Sequence, residues 1–134
     1  MRLNNEGSYY PPNDNLNDII KLLEDIIRDT GESNKLSIGI DCNANNYFND
    51  VTKKYEMDGF KQPPDAEALI DYYLKYCNEH PAIKYLEDPI ADLDITGWQK
   101  IFMKFSQKPS VTISSKSLVG ENFKNLKNVN TFSQ

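Results

Sequence analysis

Asp41 and Glu87 each stand where an apolar run gives out. Asp41 closes Leu36-Ser37-Ile38-Gly39-Ile40-Asp41, and Glu87 closes Ala82-Ile83-Lys84-Tyr85-Leu86-Glu87, just before Asp88-Pro89. Each run reads as a strand. Carboxylates at strand ends, with helical segments between the strands, are how a (β/α) barrel collects hard-cation ligands at its C-terminal mouth, so the placement points to a magnesium site. An acidic residue that merely opens a solvated loop after a strand leaves the same trace, and the sequence keeps both readings open. The other candidates read as structure. His80, the only histidine, sits beside Pro81 at a helix end and is expected in a surface turn. Tyr72, Tyr73 and Tyr76 are spaced for packing along a helix before base stacking. Asp88, Asp92 and Asp94 either extend the acidic cluster or lie in a solvated loop, and the loop is the expectation; Glu56 and Asp58 are expected to face water. Cys42 and Cys77 have neither metal-type spacing nor a disulfide-rich context and read as reduced, packed thiols.

The elements that must position these residues alternate in type. From Asn13 to Gly31, Leu16, Ile19, Ile20, Leu23, Ile26 and Ile27 recur at three and four, which predicts a helix with one buried stripe, ended by Gly31 as a left-handed residue. Strand 36–41 follows. The polar stretch 43–64 is long for a connection and reads as either an active-site loop or a small hairpin, with Lys54-Tyr55-Glu56-Met57-Asp58-Gly59 the segment to supply the hairpin. Asp65 is the N-cap of a second helix that turns Ala68, Leu69, Tyr72, Tyr73 and Tyr76 inward and ends near Asn78. Strand 82–87 comes next, then a third helix carrying Trp98, Ile101, Phe102 and Phe105 on one face, a last strand from Val111 to Ser114, and a weak helical start around Asn122. Helix-length links between strands imply a parallel sheet.

The chain has 134 residues, whereas a closed eightfold barrel typically takes about 250. The fold class expected is therefore α/β: a partial TIM-type (β/α) barrel of about three parallel strands alternating with helices, spanning residues 1–121, with a weakly structured tail at 122–134. A net charge of −5 without clustered Lys and Arg argues against a nucleic-acid partner. No apolar run approaches the ~18 residues of a membrane span, and Met1-Arg2-Leu3-Asn4-Asn5 lacks the apolar core of a secretory signal, so a cytoplasmic location is expected. An unfinished barrel leaves its outer strands unpaired, so the isolated chain is expected to be unstable or partnered.

Several segments together resemble the enolase (phosphopyruvate hydratase) family, in the central part of its C-terminal barrel domain. Asn5-Glu6-Gly7-Ser8-Tyr9-Tyr10-Pro11 is similar to the family's GDEGGFAP loop, Ile38-Gly39-Ile40-Asp41 to its IGMD strand, and Lys54-Tyr55-Glu56-Met57-Asp58 to its KYDLDF segment. Tyr85-Leu86-Glu87-Asp88-Pro89 is similar to its IEDP strand end, and Trp98 falls where the family has the Trp that follows this strand. Order and spacing agree over residues 4–105. The resemblance implies magnesium-assisted dehydration of 2-phosphoglycerate to phosphoenolpyruvate, in glycolysis, and a homodimer for a full-length chain. Removing a proton next to a carboxylate creates a doubly charged ene-diolate that metal ions stabilise while a base takes the proton and an acid helps hydroxide leave. By motif match Glu6 corresponds to the glutamate that assists loss of the hydroxyl, and Asp41 and Glu87 to two of three magnesium carboxylates.

The chain also departs from the family pattern. The third metal carboxylate sits in a GDD turn after the following strand, and here that stretch reads Thr112-Ile113-Ser114-Ser115-Lys116-Ser117-Leu118, with no Asp or Glu from Gly97 through Gly120. At the best match Lys116 takes the metal-binding position, and a cation there makes magnesium binding poor. Two readings stand: the Lys116 ammonium substitutes for the ion by pairing with Asp41 and Glu87, or it points into solvent. Asn5 stands where the family loop has Asp, and Ser8 where it has Gly. The lysine of the family's LKVNQ strand, its His-containing loops and its substrate lid have no counterpart in these 134 residues, so the chain alone is expected to be inactive. The Ser-Lys-Ser tract and the Asn-rich connections also resemble the divergent enolase-4 branch associated with the sperm flagellum. That resemblance implies the alternative function, a non-catalytic structural or assembly protein.

Overall fold

The apolar residues spaced three and four apart wind into helix α1 (Leu16–Asp29). Asn15 caps it: its side-chain oxygen accepts from the Asn17 N–H at 3.0 Å and the Asp18 N–H at 3.4 Å, pairing two of the amides that a helix start leaves orphaned. The helix stops as expected, because Gly31 adopts φ +72 and donates its N–H to the Arg28 carbonyl. The buried stripe is narrower than the spacing predicts. Ile20 is the buried residue of this helix, and Leu16, Leu23 and Ile26 are exposed. The computed structural model describes residues 3–5, 7–118 and 120, which divide into two compact units, Met1–Ile38 and Gly39–Gln134.

The second unit carries most of the strands. Strand β1 (Ile38–Asp41) reaches it from the boundary, and β1, β4 (Ile83–Glu87) and β5 (Thr112–Ser114) make one parallel sheet in the order β1-β4-β5. Register sets Glu87 opposite Ser114 and Leu86 opposite Ile113. Gly39 lies against Tyr85 so closely that a Cβ would meet its ring at 3.3 Å. That close approach accounts for glycine in the middle of β1.

A short 3₁₀ turn, Ala44–Tyr47, leads into the hairpin of β2 (Phe48–Asn49) and β3 (Lys54–Tyr55). The stretch 43–64 therefore does hold a hairpin, but its first strand lies earlier than Lys54. Asn49 accepts the Val51 and Thr52 N–H groups on its side-chain oxygen, at 3.0 and 3.1 Å, and this local bond makes the turn.

Helix α2 (Ala66–Glu79) begins where Asp65 accepts the Ala68 N–H at 3.0 Å, as predicted. Its inner face differs from the expected one: Leu69, Ile70, Tyr73, Tyr76 and Cys77 are buried, whereas Ala68 and Tyr72 are exposed. The stripe is rotated by one residue, and the Tyr72 ring lies against Phe60 and Tyr76 at the edge. His80 is also a correction. It does close the helix in a turn, yet it is buried, with its ring 4.8 Å from that of Tyr76 and its carbonyl accepting the Ile83 N–H. The turn is pulled inward because it leads straight into β4, whose first residue, Ile83, is buried.

Helix α3 (Ile95–Phe105) buries Trp98, Ile101 and Phe105 as predicted, while Phe102 is exposed and covers Trp98 from outside. The connection from β4 to α3 is held by side chains. Trp98 donates its indole N–H to the Ala91 carbonyl at 2.9 Å, and the fully buried Tyr55 donates to the Asp94 carboxylate at 2.9 Å while accepting the Ala91 N–H at 3.3 Å. The other Asp94 oxygen caps α3 through the Gly97 N–H.

Candidate functional site

At the C-terminal end of the sheet the backbone laces three strand ends together. Cys42 donates its N–H to the Glu87 carbonyl at 2.8 Å, Asp88 donates to the Ser114 carbonyl at 3.0 Å, and Ala44 donates to the Asp88 carbonyl at 3.0 Å. Asp88 and Asn43 both adopt φ +44, turning the chain sharply just past β4 and β1. The result is convergence: one carboxylate oxygen from each of Asp41, Glu87 and Asp88 lies within 4.8 Å of the others. The sequence expectation that Asp41 and Glu87 meet at one rim agrees with this arrangement.

Each carboxylate has its own bonds. Glu87 accepts the Tyr85 hydroxyl at 2.7 Å, and Asp41 accepts the Asn43 N–H at 3.0 Å. Asp88 is only 8% exposed, so the solvated-loop expectation is wrong for it. One of its oxygens, Oδ1, accepts from the Ser115 hydroxyl at 2.7 Å, the Lys116 N–H at 3.0 Å, the Ser117 N–H at 3.1 Å and the Ser117 hydroxyl at 2.9 Å. Burial works to raise the Asp88 carboxyl, but the donors from Ser115, Ser117 and Lys116 outweigh it and hold the group below the usual carboxylate value. The signal available in the sequence was the Ser-Lys-Ser tract, three residues rich in donors facing a carboxylate after the neighbouring strand. Asp92 is exposed as expected, with its N–H on the Asn45 side-chain oxygen, and Asp94 is half-buried as the cap of α3.

Lys116 lines a cavity of about 430 Å³ together with Asp41, Asn43, Asn45, Asp88, Ser117 and Gly120. It is exposed, and among the described residues no ion pair within 4.0 Å joins it to Asp41 or Glu87. Glu6 lies outside the described residues, as do the tail 122–134 and the helical start at Asn122. Of the described residues nearby, Leu3 is bridged to Tyr9, the Asn4 N–H donates to the Ser8 carbonyl at 2.7 Å, and Gly7 has φ +82.

The two cysteines are free. Burial pushes the Cys42 thiol up to about 12, with the Tyr73 hydroxyl beside it acting in the opposite sense. That hydroxyl is buried without a well-formed hydrogen bond, and the Cys77 thiol is also raised, by burial first.

The three carboxylates form an oxygen-rich group of a size that could hold a hard cation. Against a divalent ion stand two features of the same rim: the ammonium-bearing side chain that shares the cavity, and the commitment of Asp88 Oδ1 to four donors. The fit to magnesium is poor.

The family described as "Enolase, C-terminal TIM barrel domain" matches residues 2–131. Among curated proteins, the chain is similar to "Enolase" of Sulfurisphaera tokodaii, 35% identical with 69% of this chain and 21% of the relative covered. It is 34% identical to "Enolase" of Campylobacter jejuni over 79% of this chain and 24% of the relative. For "Enolase" of Methanococcus aeolicus the identity is 29%, over 72% and 22%. The chain thus spans less than a quarter of the length of these relatives.

Proposed function

The chain belongs to the enolase family, through that family's C-terminal barrel domain, and from that premise we propose that it forms the rim segment of a phosphopyruvate hydratase barrel, inactive as these 134 residues alone. The observation that supports this reading is the convergence of the Asp41 and Glu87 carboxylates at the ends of adjacent strands. In a complete barrel this rim faces 2-phosphoglycerate or phosphoenolpyruvate, and Glu6 is the residue that assists loss of the hydroxyl. Magnesium is the family's metal, and the residues of this rim fit it poorly. These 134 residues hold no counterpart of the family's lysine base, and without a base the proton next to the carboxylate is not removed at a useful rate.

A cytoplasmic protein of glycolysis, dimeric at full length, is the setting that goes with this reading. Among the described residues no helix is long and apolar enough to cross a membrane. Lys116 at the rim favours a second reading, an enolase-like module that serves assembly rather than turnover. Both readings are tested by supplying the purified chain with 2-phosphoglycerate and magnesium and following phosphoenolpyruvate absorbance. No turnover is expected. Magnesium-dependent turnover that disappears in Glu87→Gln would overturn both the inactivity and the assembly reading.

A further inference from the structure

The strand ends that meet at the rim do not all bring acid. β1 brings Asp41, β4 brings Glu87 and Asp88, and β5 runs into Ser115-Lys116-Ser117. That tripeptide is fixed from below by Asp88, whose Oδ1 gathers both serine hydroxyls and the N–H groups of Lys116 and Ser117. Ser115 Oγ also accepts the Leu118 N–H at 2.9 Å, and the Lys116 carbonyl accepts the Gly120 N–H at 3.1 Å. The turn is thus bonded on both sides of Lys116, which lines the cavity with Asp41 and Asp88.

We infer that Lys116 is the built-in cation of this rim: its ammonium offsets part of the negative charge of the Asp41, Glu87 and Asp88 carboxylates in place of a divalent ion, and Asp88 positions it by holding the turn that carries it. The inference deepens the enolase-family reading and rests on it. Two physical effects act together. An ammonium in the cavity repels an arriving dication through a medium less screening than bulk water. Magnesium also demands a nearly octahedral oxygen shell, and recruiting Asp88 Oδ1 to it would break the four bonds that hold the turn. The long lysine stem lets the charge act across the cavity without a fixed ion pair.

Calorimetric titration of the 134-residue chain with magnesium chloride tests this, with circular dichroism confirming the fold of each variant. The chain itself should give no saturable heat at millimolar metal. Lys116→Ala should bind measurably, and Lys116→Asp at least about tenfold more tightly than Lys116→Ala, equivalent to ~1.4 kcal/mol. Because Lys116 is exposed, neither substitution disturbs packing. Saturable binding by the unsubstituted chain as tight as that of Lys116→Asp overturns the inference, and so does failure of both variants to gain binding. The double variant Ser115→Ala/Ser117→Ala removes two of the donors on Asp88, and it should recover part of the heat seen with Lys116→Ala. If it stays as silent as the unsubstituted chain, the positioning role of Asp88 is wrong. These outcomes are read from metal binding alone, so they are separate from the phosphoenolpyruvate assay that tests the proposed function.

Discussion

A carboxylate that takes four hydrogen bonds on one oxygen is a structural part as much as a charge. Replacing Asp88 by Ala leaves the donors of Ser115, Lys116 and Ser117 without their acceptor in a partly buried place, which should cost about 1–3 kcal/mol. Urea unfolding measures it. The Asp88 carboxyl is held below its ordinary value, so its contribution is fully present above about pH 4 and is lost as pH falls through the depressed value. The stability gap between the chain and Asp88→Ala should accordingly close on acidification, and a gap unchanged at low pH would contradict this account. At Cys42 the sign is opposite. Burial raises its thiol to about 12, thiolate is scarce at neutral pH, and alkylation should be on the order of a hundredfold or more slower than that of a free thiol. Mass spectrometry after timed iodoacetamide treatment checks it, with urea restoring ordinary reactivity.

Helices and loops place these residues through a small number of bonds. Asp65 caps α2 through the Ala68 N–H, and Asp65→Ala should cost about 1 kcal/mol of stability. Trp98 is fully buried and bonded to the Ala91 carbonyl. Trp98→Phe keeps an aromatic ring but removes that donor and part of the volume, so a loss of about 2–4 kcal/mol is expected in denaturant melts. A loss below that of Asp65→Ala would mean that the loop from Asp88 to Asp94 does not depend on this anchor. By contrast, the contacts of the half-buried Lys100 with Glu67 and of the half-buried Lys104 with Asp71 bridge α3 and α2 to exposed carboxylates. Screening by water leaves such pairs worth little individually.

Among the described residues β1 and β5 are the edges of the sheet, and an edge strand presents backbone groups that can pair with another chain. The matched stretch covers only 21–24% of the length of the relatives, which are more than four times as long. The purified chain should therefore associate as concentration rises, seen as an increasing sedimentation coefficient. A single monomeric species over the whole accessible range would show that the edges are already protected.

Local chemistry was legible in the order of residues. Strand ends at Asp41 and Glu87, the Asp65 cap, the Gly31 stop and the alternation of helix and strand follow from periodicity and from backbone preferences that act within a few residues. What stayed hidden depends on partners distant in sequence. Asp88 looked like a loop acid because its four donors come from a turn 27–29 residues later. His80 looked exposed because nothing nearby in sequence says that its turn is drawn inward, and the inner face of α2 was misjudged by one residue because several neighbouring positions are apolar or aromatic. Sequence by itself determined which elements form and which carboxylates end them. Tertiary structure alone decided which of those charges are buried and paired, because burial and hydrogen bonding are properties of the packed strand ends.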